Sequence, residues 1–185
     1  MTRLLSRLAK KYMRARHTRG FGVHSPFAYD TLLLLRINGK TGFYADEEIE
    51  ECARPDGGAQ LARDAIRFHR LCASLTEGDV YVSPKAPRAV SEAVGLASSQ
   101  LNAIATRRLA PTCCVGFFIR ETEAPLEVAE ALAADCRTAW LSGYSDEEVR
   151  RIASDSGATL TLLGNRNSIL FRRPQMQPVE YTVYL

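Results

Sequence analysis

Asp79-Val80-Tyr81-Val82-Ser83-Pro84-Lys85-Ala86-Pro87-Arg88 decides how the rest of the chain reads. A β-prone run ending at Ser83 passes through a loop with two prolines into a helical pattern from Arg88 to Ala97. The alternation then repeats. Further β-prone runs lie at Leu101 to Thr106, Cys113 to Ile119 and Cys136 to Leu141, with helical patterns at Pro125 to Ala134 and Asp146 to Ser156. Strands alternating with helices of about ten residues predict βαβ units and a parallel sheet. Ser145 with Glu148 supplies a capping box for the last of these helices.

One connection breaks the pattern. Only Arg107 to Thr112 separates the second run from the third, which is short of the dozen or so residues of a parallel crossover. The two runs are therefore expected to be antiparallel, or to leave one of them as a poorly formed piece at the edge of a reduced sheet. Three more candidate strands follow at Thr159 to Leu163, Ser168 to Arg173 and Val179 to Tyr184. Gly164-Asn165-Arg166-Asn167 joins the first two as a hairpin, because Gly and Asn tolerate positive φ. Pro174 and Pro178 set the last run apart.

The chain opens on a helical lead-in. Residues 3 to 16 place Leu4, Leu5, Leu8 and Tyr12 on one stripe, with Arg3, Arg7, Lys10, Lys11 and Arg14 around the remainder. Residues 1 to 19 carry seven of the 24 Lys and Arg and no acid, so the remaining 17 face all 21 acids, giving +7 and then −4. That asymmetry suits an acidic partner surface. Binding to nucleic acid or an anionic lipid surface is one reading of this basic helix. The absence of interleaved aromatics favours packing of its Leu stripe on the body or on a second subunit. Ser25 as N-cap and Pro26 in the first turn predict a helix to Ile37, ended by Asn38-Gly39. Asp46 is expected to cap an acidic helix from Glu47 to Cys52, closed by Pro55 and Gly57-Gly58. A further helix from Ala59 to Leu75 carries Leu61, Ala65, Phe68, Leu71 and Cys72 along one side.

At 185 residues and 46% hydrophobic, the chain can bury one good core. Its five cysteines are odd in number and show no CxxC spacing, which reads as reduced core residues of a cytoplasmic protein. His17, His24 and His69 are not at ligand spacing with those thiols, so no metal is expected. No apolar run reaches the roughly 18 residues of a membrane span, and the N-terminus does not read as a signal peptide.

Arg16-His17, the segment Gly20-Phe21-Gly22-Val23-His24-Ser25-Pro26-Phe27, the alternation above and the terminal hairpin ending Ile169-Leu170-Phe171-Arg172-Arg173 together resemble a bacterial group of class I S-adenosylmethionine-dependent methyltransferase-like proteins. The resemblance spans residues 14 to 45 and 136 to 185 and only loosely the middle. It implies an α/β fold with a reduced Rossmann-like sheet, mostly parallel with a C-terminal antiparallel hairpin. Residues 1–58 would form an N-terminal helical extension and 59–185 the methyltransferase-like domain, with cofactor at the carboxyl ends of the first strands.

The functional residues of that group do not carry over. Its first strand should end in an acid and a glycine loop that lets backbone approach the cofactor, where this chain has Pro84 and Pro87, each without an N–H. Its second strand should end in an acid for the ribose, where this chain has Thr106-Arg107-Arg108. An Asp-Gly type turn is replaced by Phe118 to Glu123, the acids expected after the fourth run by Ser142-Gly143-Tyr144-Ser145, and a third strand with its helix is absent.

The resulting expectation is a degenerate methyltransferase-like protein that has lost cofactor binding and catalysis and is retained as a binding or assembly module. No cofactor is then expected, and a homodimer or other protein partner is. One alternative is an active methyltransferase that uses S-adenosylmethionine at an atypical loop. Its pocket would draw on Ser83, Lys85 and Arg88, with Glu121, Glu123 and Tyr144 across from them. Another is an anion-binding adaptor using Lys85, Arg88, Arg107 and Arg108. The plainer readings are that Lys85 and Arg88 are solvated, that Glu121 and Glu123 favour the following helix N-terminus, and that Tyr144 is a loop aromatic. His24 is expected to fix the turn between the first helices through its ring, and Trp140 to be core. No residue is assigned a catalytic role.

Overall fold

The computed structural model describes residues 2–18, 22–36, 45–75, 77–105, 113–134 and 136–185, with the side chains of 2–8 and 10 outside the described set. In chain order the elements are α1 (Thr2–Thr18), α2 (Pro26–Leu35), α3 (Ala45–Ala53), α4 (Gly58–Ala73), β1 (Gly78–Val82), α5 (Arg88–Ala97), β2 (Leu101–Ile104) and β3 (Cys113–Ile119). There follow α6 (Pro125–Ala134), β4 (Thr138–Ser142), α7 (Asp146–Ser156), β5 (Leu160–Leu163), β6 (Asn167–Phe171) and β7 (Val179–Thr182). The seven strands form a single sheet in the order β2-β1-β3-β4-β6-β5-β7. β2, β1, β3 and β4 are parallel, and β6 lies antiparallel between β4 and β5. The expected α/β class and C-terminal hairpin are therefore present, with β7 added parallel to β5.

Strand alternation sends side chains to two faces. Val80, Val82, Val115, Phe117 and Trp140 face Leu32 and Leu35 of α2, Phe68 and Leu71 of α4, and Val90 and Val94 of α5. Tyr81, Phe118, Ala139 and Leu141 face Val128 and Leu132 of α6 and Val149 and Ile152 of α7. Trp140 is fully buried, stacked on Phe117 with an interplanar angle of 11° and edge-on to Phe68. α3 packs outside this layer, through Ile49 and Ala53 on Ala62, Ala65 and Ile66 of α4 and Ala89 and Ala93 of α5.

Four local expectations are corrected. Of the two alternatives for β2 and β3, antiparallel pairing is overturned, since both run parallel to β1 on its opposite flanks, while the edge position holds: β2 is a short strand at the sheet edge with Asn102 and Ala103 exposed. Being parallel, the two strands require the link to return from the carboxyl end of β2 to the amino end of β3 as well as to change flanks of β1. Residues 106–112, which make that return, lie outside the described residues. The β5–β6 turn uses no positive φ at Asn165, Asn167 or Gly164. Gly164 is required by close approach, because a Cβ there would run into the Asn167 carbonyl oxygen and stand 3.0 Å from Leu185 Cβ.

Asp46 is not a cap but sits inside the first turn of α3. Its Oδ2 accepts from Arg70 Nη2 at 2.9 Å, since the buried Arg70 guanidinium needs a counter-charge. The ring of His24 does not hold the lead-in turn. His24 is exposed, and its backbone N–H donates to Tyr181 Oη at 3.2 Å. His17 does the ring work, with Nδ1 donating to the Thr182 carbonyl at 3.1 Å and the ring edge-on to Tyr181. Together with Tyr184 N–H on Thr18 Oγ1 at 2.7 Å, these contacts lay α1 along β7 and cover that sheet edge within the chain. The stripe residues Leu4, Leu5 and Leu8, and the basic Arg3, Arg7 and Lys10, lie outside the described side chains.

Candidate functional site

The carboxyl end of β1 is folded tightly on itself. Ser83 N–H donates to the Phe117 carbonyl at 2.9 Å, and Ala86 N–H to the Ser83 carbonyl at 2.8 Å, closing a turn over Pro84 and Lys85. Proline at the first central position pre-sets such a turn. Ser83 is 2% exposed and its Oγ has no hydrogen-bond partner. Lys85 and Arg88 point outward, Arg88 pairing with Glu92 one turn on at 3.2 Å.

Beside this turn, the loop from β3 to α6 drives a carboxylate inward. Glu123 is 4% exposed. Its Oε1 accepts from Tyr81 Oη at 2.8 Å and its Oε2 from Ile119 N–H at 2.8 Å. Its carbonyl accepts from Tyr144 Oη, also at 2.8 Å. Burial first, and then the Glu123 charge, push the Tyr144 phenol well above its ordinary value, so Tyr144 remains an O–H donor. Each polar atom of this cluster meets one of opposite character, an arrangement suited to locking a loop. Glu121 stays exposed.

Further along the sheet a cleft of about 640 Å³ opens. Its walls are the start of α4 (Gly57, Gln60, Leu61 and Asp64), the loop after β4 from Ser142 to Ser145 with Glu148, and the turn Asn165 to Asn167. Local sequence explains the walls. The Gly57-Gly58 pair lets α4 start without a side-chain cap, Gly58 at φ 62. The capping box opens α7, with Glu148 N–H donating to Ser145 Oγ and Ser145 N–H donating to Glu148 Oε2 at 2.9 Å. The Ser145 N–H and the Arg120 guanidinium, 2.6 Å from Oε1, hold the Glu148 carboxyl below the usual range.

Asp64 behaves oppositely. Burial raises its carboxyl above the usual range, against lowering contributions from Asn167, Arg67, Gln60 and Arg166. Gln60 Nε2 donates to Oδ1 at 2.9 Å and Arg67 Nη1 lies 3.5 Å from the same oxygen. Asn167 is 2% exposed, and its Nδ2, although close enough to lower the Asp64 carboxyl, makes no hydrogen bond of good geometry.

The structure brings Glu123 and Tyr144 together, and of Ser83, Lys85, Arg88, Glu121 and Tyr144 only Tyr144 lines the cleft. Arg107 and Arg108 lie outside the described residues. Sequence reasoning missed Asp64, Arg166 and Asn167. The available signal was the i, i+4 spacing of Gln60 and Asp64 on α4, away from its apolar side. Among the described residues no group of three or more His, Cys, Asp or Glu could hold a metal ion, and no helix is long and apolar enough to cross a membrane. None of the five cysteines is in a disulfide. No known protein family, curated protein or solved structure matches the chain.

Proposed function

We propose that this chain is a methyltransferase-like Rossmann scaffold whose cofactor crevice has been filled from within, and which works as a binding or assembly module. The observation that carries this reading is buried Glu123, which ties Tyr81, Ile119 and Tyr144 over the carboxyl ends of β1 and β3. In a Rossmann-type sheet that end is where a nucleotide-bearing cofactor lies. The methyltransferase-like part of the reading is supported by the antiparallel β6 inserted between β4 and β5. The loss of cofactor is supported by the proline turn, whose Ala86 N–H is already committed to Ser83. Five cysteines outside any disulfide, three of them buried, support a reducing compartment such as the cytoplasm. Tyr29 and Leu33, exposed on α2, are suited to a second copy or another protein partner.

Isothermal titration with S-adenosylmethionine and S-adenosylhomocysteine tests the reading. It predicts no heat and no thermal stabilisation at micromolar ligand. Micromolar binding would restore the alternative of an active methyltransferase.

A further inference from the structure

We propose that the cleft between the start of α4 and the β5–β6 turn binds a small zwitterion of the amino-acid class, its ammonium on Asp64 and its carboxylate on Arg166 and the Asn167 amide. The proposal rests on the binding-module reading and deepens it by naming a ligand chemistry.

Three observations carry it. First, Asn167 is buried and lines the cleft, and its Nδ2, although beside Asp64, makes no hydrogen bond of good geometry. Buried amide donors are nearly always matched, and an orphan aimed at a cavity marks a place for an acceptor. Second, Gln60 and Arg67 both engage Oδ1 of Asp64, leaving Oδ2 to the cleft. A half-buried carboxylate with one oxygen uncommitted gains from a cation brought to it. Third, the lining offers charges of both signs. Glu148 is engaged by Arg120 and Ser145, so the lining charges left for a ligand are Arg166 and Asp64, which Arg67 meets only at Oδ1, 3.5 Å away. A simple anion would meet Asp64 and a simple cation would meet Arg166, whereas a molecule carrying both charges satisfies both walls. The volume, about 640 Å³, is that of a small-molecule site.

The raised carboxyl of Asp64 supports this geometry, because an ammonium against it would stabilise the charged form that burial disfavours. The other charged groups facing Asp64 are Arg67 from its own helix and Arg166 from the turn.

The test is thermal shift and calorimetry of the full chain with each of the common amino acids at millimolar concentration. For the best of them, its amide, which is only a cation, and its N-acetyl form, which is only an anion, are then compared. At least one amino acid is expected to bind, and each single-charge analogue to bind about tenfold more weakly or worse. Asp64→Asn and Arg166→Gln are each expected to lose about tenfold in affinity while keeping the circular dichroism of the parent. No binding by any amino acid overturns the proposal, as does an N-acetyl form that binds as well as its parent, or binding unchanged in both folded variants. Failure of the parent reading is read separately. It would appear as S-adenosylmethionine heat that persists in Asp64→Asn, because a ligand held by its amino-acid head in this cleft would lose that heat.

Discussion

Two carboxylates, Glu123 in the loop after β3 and Asp64 of α4 beside the loop after β4, meet opposite fates. Glu123 is buried with both oxygens engaged by donors, a phenol and a backbone N–H. Asp64 is half-buried, with its partners crowded on one oxygen and an amide of poor hydrogen-bond geometry beside it. Matched burial fixes structure, because every donor would lose its partner if the loop moved. Incomplete matching stores unfavourable desolvation that a ligand can relieve. The contrast separates a region that has become core from one that remains a site.

Breaking the matched side should have the largest effect. Glu123→Ala leaves the Tyr81 hydroxyl and the Ile119 N–H without their acceptor and should cost about 3 kcal/mol in urea unfolding. Glu123→Gln, which retains one acceptor, should cost about half of that. A loss below about 0.5 kcal/mol for the alanine variant would mean that the cluster locks nothing.

Next comes the turn that forms one wall of the cleft. Gly164→Ala puts a methyl against the Asn167 carbonyl and Leu185 and should cost about 2 kcal/mol, seen as a lowered melting temperature. A neutral result would place the need for glycine elsewhere. Ser145→Ala removes the α7 cap and should cost about 1 kcal/mol, with faster amide exchange confined to the first turn of that helix.

The smallest effect in size, and the sharpest in sign, is the pH dependence. Asp64 has a folded-state pKa above its unfolded value, so the native chain holds more protons there, and stability falls as pH rises from the ordinary carboxylate range through the raised value. Glu148 has a folded value below its unfolded one, so its contribution is present at neutral pH and lost on acidification. Asp64→Asn should flatten the first slope and Glu148→Gln the second, as read from urea midpoints across acidic pH. Exchange of those two outcomes would reverse the assignment of matched and unmatched groups.

Much of the frame was legible because it is set by short-range rules. The span of β3, α6 and α7 follows from periodicity and caps alone, and α5 begins at Arg88 because Pro87 cannot continue a preceding strand. The order of strands was less legible, since a short link from β2 to β3 is compatible with more than one path round β1. The site was least so. Glu123 looked like a charge favouring a helix N-terminus until Tyr81, from a different strand, supplied a donor beneath it. Asp64 and Asn167 meet only because α4 and the β6 hairpin converge, and side-chain matching across such distances leaves no local pattern.

Chemical-shift mapping of the amide resonances with S-adenosylhomocysteine tests the filled crevice most directly. The account predicts that signals from Tyr81 to Arg88 and from Ile119 to Ala124 stay in place at millimolar ligand. Saturable shifts confined to those two stretches would show that the end of β1 still opens, and would contradict it.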